Sequence, residues 1–304
     1  MTDEIEFIRD QLKRRGFPLE SYIQGLLVDS DWHVQPNTYF LDKETNKGRE
    51  LDLEAIYDSF PSSTWTKIII RLLIQCKTLP GNAWIFFSPP KKSATAVLIH
   101  KSDMTDFLRS LDKWAPLEFS SFDTAIFGSK ETHFEKREAR TTNYCEVIID
   151  KTKSNKRTDN IWESAVTLVK AISQELDEFQ SDARRYLMED LGSFTEFDEK
   201  PFDVAHVFFP IIVFEGKLYT ATFLNNDVKL ERANYLQLRV DYESGYYKRD
   251  CVIDVITRDR FQSFIVDIMK DSALFNERRL RISKRYEPVI REAVKELFRK
   301  MGKM

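Results

Sequence analysis

Alternation of apolar and acidic residues in the segment 50 to 55 is the feature that most constrains how this chain can fold. Side chains on a β-strand point to opposite faces in turn, so residues two apart share a face. The segment therefore predicts a strand with Leu51 and Leu53 on one face and with Glu50 and Asp52 on the other. Such a strand belongs in a sheet that has a polar or solvated side.

The segment 67 to 77 repeats this pattern with a denser apolar content. Its even-numbered residues from Ile68 to Cys76 are apolar and form one face, which places Gln75 and Lys77 together on the opposite face. Apolar residues also occur between these positions, and this favours a central strand over an edge strand. Polar groups that emerge from the end of a buried strand need a reason, because burying unpaired polar groups is unfavourable.

We expect the two strands to pair antiparallel around a loop at residues 58 to 66. A pairing symmetric about this loop places Asp52 beside Leu73 and diagonal to Gln75, at about 7–8 Å. One metal ion can bridge such a span. A second interpretation stays open, because any antiparallel hairpin with a solvated face also carries acids and lysines at alternate positions.

These side-chain types fit the hydrolysis of a phosphodiester bond. Mg²⁺ takes oxygen ligands, commonly one or two carboxylates with water and substrate phosphate, and a bound cation lowers the pKa of a water ligand. Asp52 would be the charged ligand, the Gln75 oxygen a neutral ligand, and Lys77 a point charge that orients water or stabilises developing charge. Glu20, in the first turn of a helix predicted from Leu19, can supply a third acid.

At these residues the chain resembles the PD-(D/E)XK, or restriction-endonuclease-like, nuclease superfamily. The family pattern has Glu on the first helix, an acid in a Gly-x-x-(Arg)-Glu-(Ile/Leu)-Asp context, and (Glu or Gln)-x-Lys on the next strand. The matching positions here are Glu20, Gly48-Arg49-Glu50-Leu51-Asp52 and Gln75-Cys76-Lys77. Glu is commoner at position 75, and Gln there is typical of the Mrr-like type IV restriction branch. The match covers about residues 17 to 87.

The resemblance implies an α/β fold whose core has the order α-β-β-β-α-β in a mixed sheet flanked by helices. It also implies a nuclease that uses Mg²⁺ or Mn²⁺ and acts on nucleic acid, with DNA expected and restriction, defence or repair as its setting. The catalytic residues would be Glu20, Asp52, Gln75 and Lys77, with Asp52, Gln75 and Glu20 as metal ligands. A homodimer is one assembly open to such a protein.

Two alternatives to an active nuclease remain. A module that keeps this fold could bind nucleic acid or a protein without cutting, because a neutral residue at position 75 weakens the ligand set. A purely structural subunit of a larger assembly is the other. The choice of DNA over RNA, and the sequence recognised, do not follow from these residues.

Composition limits the classes of function. The chain has 304 residues and a formal net charge of −3, so any binding to phosphates must come from local basic patches. Cys76, Cys145 and Cys251 are odd in number and far apart, which indicates reduced thiols in a cytoplasmic protein. The longest apolar stretch, residues 204 to 214, is shorter than the about 20 residues that span a bilayer, so we expect no membrane association.

We predict a nuclease domain at residues 1 to 270 with an insertion at about 91 to 157, followed by a basic C-terminal helical extension at 271 to 304. The helix predicted at about 276 to 301 carries an apolar stripe, so its cations either contact phosphates or form a solvated face. The Glu-Gly-Lys at 215 to 217 is interpreted as a hairpin turn and not as a second acid-x-lysine site.

Overall fold

The computed structural model describes residues 2–14, 17–58, 66–87, 100–102, 140–149, 159–189, 203–224 and 227–301. Within these residues the chain forms four helices and a sheet of ten strands. The helices are α1 (Thr2–Arg14), α2 (Phe17–Val28), α3 (Asn160–Glu189) and α4 (Arg258–Met301). The strands are β1 (His33–Asp42), β2 (Lys47–Tyr57), β3 (Thr66–Phe87), β4 (His100–Ser102), β5 (Arg140–Thr141), β6 (Asn143–Ile148), β7 (Asp203–Leu224), β8 (Asp227–Arg232), β9 (Tyr235–Glu243) and β10 (Lys248–Thr257).

The sheet is mixed, with the order β1-β2-β3-β7-β10-β9-β5. The strands β1, β2 and β3 pair antiparallel in sequence, whereas β3, β7 and β10 run parallel at the centre. Further pairs join β6 to β3, and β4 and β8 to β7. The predicted α/β class, with a mixed sheet flanked by helices, is therefore confirmed.

Two apolar clusters cover the two faces of the sheet. On one face α2 and the first half of α4 pack on the strands, and on the other face α3 does so. The strand β3 contributes to both, since Ile74 lies in the first cluster and Leu73 in the second. The prediction that this segment is a central strand is thus confirmed, because β3 lies between β2 and β7.

The segment 215 to 217 does not form the predicted hairpin turn. It continues β7, because Glu215 and Lys217 pair with Thr78 and Ala83 of β3 on the two sides of an irregularity in the register. The glycine between them serves packing, since a Cβ at Gly216 would lie 2.2 Å from the Phe214 ring. That ring stacks on Trp84, with their centroids 4.0 Å apart.

The C-terminal helix begins earlier than predicted, because α4 already starts at Arg258. Its first half buries Phe261, Phe264 and Ile268 against the sheet. The cations that the sequence places near the end of α4 have side chains outside the described set, so their role stays a prediction.

Parts of the expected insertion are described, and they add β4, β5 and β6 to the sheet. The rest of the segment 91 to 157 lies outside the described residues. Among the helices that the structure describes, none is both long and apolar enough to cross a bilayer.

Candidate metal and phosphate site

A change of face within β2 positions Asp52. Leu51 lies in the cluster under α3, whereas Leu53 lies in the cluster under α2 and α4. The expectation that these two leucines share a face is therefore wrong. The pairing of β2 with β1 holds on both sides of this point, and Asn37 occupies the position across from Asp52 with a φ of 51°. Asn adopts this left-handed backbone more readily than most residues, so both strands can switch faces here.

The carboxylate of Asp52 takes the place of a backbone acceptor at the end of the ladder between β2 and β3. The regular pairing reaches Leu53 and Ile74. Beyond it, the Cys76 N–H donates to Asp52 Oδ2 at 2.6 Å. The side chain is thus held against β3, between Gln75 and Lys77 in the sequence.

The register differs from the one that a symmetric loop predicts. Glu54, and not Asp52, pairs with Leu73, so the same register extended by two steps brings Asp52 across from Gln75. Register follows the matching of apolar residues on a buried face. Here β2 and β3 match their buried residues under α2 and α4.

Three acids and a lysine interact through their charges where the pairing of β2 and β3 ends. Burial raises the pKa of Asp52; the Cys76 N–H and Lys77 act in the opposite direction, and Glu50 raises it again. Burial also raises the pKa of Glu20, with Asp52 and Glu50 adding to the effect and Lys77 opposing it. Charges perturb one another in this way only at short range. Glu20, Glu50, Asp52 and Lys77 are therefore near enough for their charges to interact.

Helix α2 brings Glu20 to the site. Its buried residues Leu19, Ile23 and Leu27 are spaced by four and lay one stripe of the helix on the sheet. Glu20 follows Leu19 directly and is half-buried at the edge of that stripe. The helix therefore carries its first-turn acid at the margin of its contact with the sheet.

Gln75 is buried, with only 4% of its surface exposed, and the alternation of β3 places it on the α3 face with Leu73. Its amide nitrogen donates to the Glu50 carbonyl oxygen at 3.2 Å. A buried amide needs such a partner, and this bond leaves the side-chain oxygen as the atom that a hard cation would use.

The sequence assigned Glu50 to the motif but not to the site, and the structure adds it. The Tyr39 hydroxyl donates to Glu50 Oε2 at 3.2 Å, across the β1 and β2 pair. Its position two residues before Asp52 was the available signal. The next acid in the alternation, Glu54, is different: it is buried and pairs with Arg71 at 2.8 Å, so it acts within the fold.

Comparisons with known protein families, with curated proteins and with solved structures find no match. Within the part of the chain that the structure describes, no three or more His, Cys, Asp or Glu side chains are gathered closely enough to hold a metal ion. Glu20, Glu50 and Asp52 thus interact through their charges without forming such a group.

Proposed function

We propose that this chain is a divalent-metal-dependent nuclease with a restriction-endonuclease-like core, and that its substrate is nucleic acid, with DNA expected. The observation that carries the proposal is the electrostatic interaction of Asp52 with Glu50, Lys77 and Glu20, at the point where the pairing of β2 and β3 ends and the Cys76 N–H holds Asp52 at 2.6 Å. Burial and neighbouring acids raise the pKa of Glu20 and of Asp52, and a bound cation would relieve both their repulsion and their desolvation.

The order of elements supports the same family. The elements α2, β1, β2, β3, α3 and β7 follow the order α-β-β-β-α-β, with three short strands between β3 and α3. The strand β7 runs parallel to β3 after the crossover through α3. In this arrangement Gln75 and Lys77 lie in the middle of the central strand β3, and α2 packs on one face of the sheet.

Asp52, Gln75 and Glu20 would hold Mg²⁺ or Mn²⁺. The carboxylate of Glu50 would be a further oxygen ligand. When bound, the ion polarises the phosphoryl group and lowers the pKa of a bound water. Lys77 contributes a fixed positive charge that stabilises the negative charge that develops on the phosphate. The Cys76 N–H keeps Asp52 in place at 2.6 Å, which limits the reorganisation that binding requires.

One observation favours the alternative of a module that binds without cutting. Gln75 has a neutral side chain in a position where the family more often has Glu, and a neutral oxygen is a weaker ligand for a divalent cation than a carboxylate. The two functions differ in metal binding. An active nuclease requires a bound metal ion, whereas a site that has lost its activity does not.

The decisive variant is Asp52→Asn, because it removes the charge while its side-chain oxygen can still accept from the Cys76 N–H. We expect cleavage of single-stranded and duplex DNA with Mg²⁺ or Mn²⁺ to fall by orders of magnitude, with little change in melting temperature. Asp52→Ala would change stability as well as charge, since it leaves the Cys76 N–H unpaired and an unpaired buried N–H costs about 1–3 kcal/mol.

Glu231→Gln is the matched control, because this exposed acid pairs only with Lys229 among its described contacts, at 2.6 Å. Its cleavage rate should equal that of the parent. Undiminished cleavage by purified Asp52→Asn protein would exclude the proposed site. A parent protein that cuts neither DNA nor RNA with either metal, and binds neither metal in calorimetry, would favour the non-cutting module.

A further inference from the structure

A cavity of about 480 Å³ opens beside β7, the strand next to β3 in the sheet. Its walls include Glu215 of β7, Arg232 and Asn234 around the turn from β8 to β9, and Thr257 and Arg258 where β10 meets α4. The volume falls within the range of about 300–1,000 Å³ that is usual for ligand pockets.

The cavity begins one strand away from the proposed catalytic lysine. The strand β7 pairs parallel with β3, so that Phe214 lies across from Lys77 and Glu215 across from Thr78. Neighbouring strands lie about 4.8 Å apart, and the Thr78 hydroxyl donates to Glu215 Oε2 at 3.3 Å. A nucleic-acid strand whose phosphate is held at Lys77 would therefore pass an adjacent nucleotide over the cavity.

The charges of the cavity favour a base over a phosphate. Its lining includes two arginines, Arg232 and Arg258, and two acids, Glu215 and Asp259. A phosphate would meet the carboxylates as well as the guanidinium groups. A nucleobase is neutral and carries both donors and acceptors, so it can use the acids for its amino groups and the arginines or Asn234 for its acceptors.

Arg258 offers a flat surface that is already held in place. Its Nη1 donates to Glu215 Oε1 at 2.7 Å, and its guanidinium carbon lies 4.3 Å from the centre of the Tyr22 ring. Unpaired bases stack on guanidinium planes and aromatic rings in proteins that bind single strands. Tyr22 lies two residues after Glu20 on α2, so this surface and the acidic site share one helix.

We propose that this cavity receives the unpaired base of a nucleotide next to the scissile phosphate, with the base stacked on Arg258. The proposal rests on the proposed nuclease function and narrows its substrate class. The substrate would be a single strand, or a duplex with one nucleotide turned out of the stack. A fully paired duplex would have to lose stacking and pairing at that position, so it would be a poorer substrate.

The test uses the full-length Asp52→Asn protein without added metal, so that binding is measured in the absence of cleavage. The probes are an oligodeoxyadenylate and an all-abasic oligomer of the same length, which carry the same phosphate charge. We expect the base-bearing oligomer to bind about tenfold more tightly, within the range for stacking of one base. Adding Arg258→Ala should remove that preference, and Arg258→Lys should not restore it, because an ammonium has no plane for stacking.

Asn234→Ala provides a second variant that leaves the Arg258 contacts with Glu215 and Tyr22 in place, and it should weaken the base preference as well. The matched control is Arg239→Ala, which removes an arginine paired with Asp250 at 2.5 Å outside the cavity. Equal binding of the two oligomers, or a base preference that survives both cavity variants, would overturn the proposal. Cleavage by the parent protein is scored separately, so a missing activity counts against the nuclease and a missing base preference counts against the cavity.

Discussion

Gln75 is the residue at which this chain departs from the commoner family pattern, and its surroundings give a physical reason for an amide. Its nitrogen donates to the Glu50 carbonyl oxygen at 3.2 Å in a position that is 4% exposed. A carboxylate cannot make that bond when it is ionised. Without a metal ion, a glutamate at this position would add a negative charge to a site that already holds three acids.

We therefore expect Gln75→Glu to have opposite effects on metal affinity and on the stability of the metal-free protein. The variant should bind Mn²⁺ more tightly, because a charged oxygen replaces a neutral one. Without metal it should lose about 1–3 kcal/mol of stability, since the Glu50 carbonyl loses its donor. Titration calorimetry and melting curves with and without Mn²⁺ measure both effects.

Gln35→Glu is the control, because Gln35 is exposed on β1. It should change neither quantity. If Gln75→Glu leaves the Mn²⁺ affinity unchanged, residue 75 is not a ligand.

At the scale of secondary-structure elements, the change of face in β1 and β2 creates the site. An uninterrupted period of two would place Leu51 and Leu53 on the same side. Instead they lie in different clusters, and Asp52 between them turns its carboxylate to the Cys76 N–H. The left-handed residue across from it, Asn37, has the backbone that this change requires.

This geometry predicts the ranking of substitutions at Asn37. Asn37→Gly should keep stability and cleavage near the parent values, because glycine adopts positive φ without strain. Asn37→Val should lose about 1–3 kcal/mol, because a β-branched residue is strained at positive φ. Its cleavage should fall as well, since relaxing the strand moves Asp52 away from Cys76. Chemical denaturation and cleavage assays of both variants test the ranking.

Thr38→Val is the matched control, because it places the same side chain at the next position of β1, where φ is not positive. It should behave like the parent protein. An Asn37→Val protein as stable and active as Asn37→Gly would show that the left-handed residue does not hold the site.

At the scale of the whole molecule, a buried lysine joins parts of the chain that are far apart in sequence. Lys170 of α3 lies 3.0 Å from Asp42 Oδ2 at the end of β1, and it also bonds Glu44. Arg49 adds a second cation 2.6 Å from the same Asp42 oxygen. Lys170 also lies 5.7 Å from the centre of the Tyr242 ring on β9, so the cluster joins α3 to β1 and β9, two strands that are far apart in the strand order.

We expect Lys170→Met to destabilise the fold by about 3–5 kcal/mol, because it leaves a buried carboxylate without one of its cations. The free energy of unfolding at acidic pH should report on the same cluster. Burial raises the pKa of Asp42, but the bonds from Arg49 and Lys170 outweigh it and hold the pKa well below its usual range. The stabilisation is therefore present above the ordinary carboxyl pKa of about 3.9 and is lost as the pH falls below it.

Unfolding curves between neutral and acidic pH should show a shallower loss of stability in Lys170→Met than in the parent. Lys43→Met is the control, because its pair with Asp177 at 2.7 Å is much more exposed, and such pairs contribute about 0–1 kcal/mol. Equal losses of stability in the two variants at neutral pH would contradict a stabilising role for the buried Lys170 cluster.

Local periodicity by itself determined the part of this protein that short-range rules govern. The apolar residues of β3 predict a central strand, and their spacing in α2 predicts a helix with Glu20 in its first turn; the structure has both. The same alternation singles out Asp52, Gln75 and Lys77, which lie within β2 and β3.

Only the tertiary structure decided the features that depend on partners distant in sequence. The register of Asp52 against β3 follows from matching buried faces, and the switch of face follows from Asn37 on another strand. The continuation of β7 through Glu215 depends on its pairing with β3, and that pairing places the cavity beside Lys77. A sequence read locally carries each residue's preference for strand or turn, but not the long-range contacts that overrule that preference.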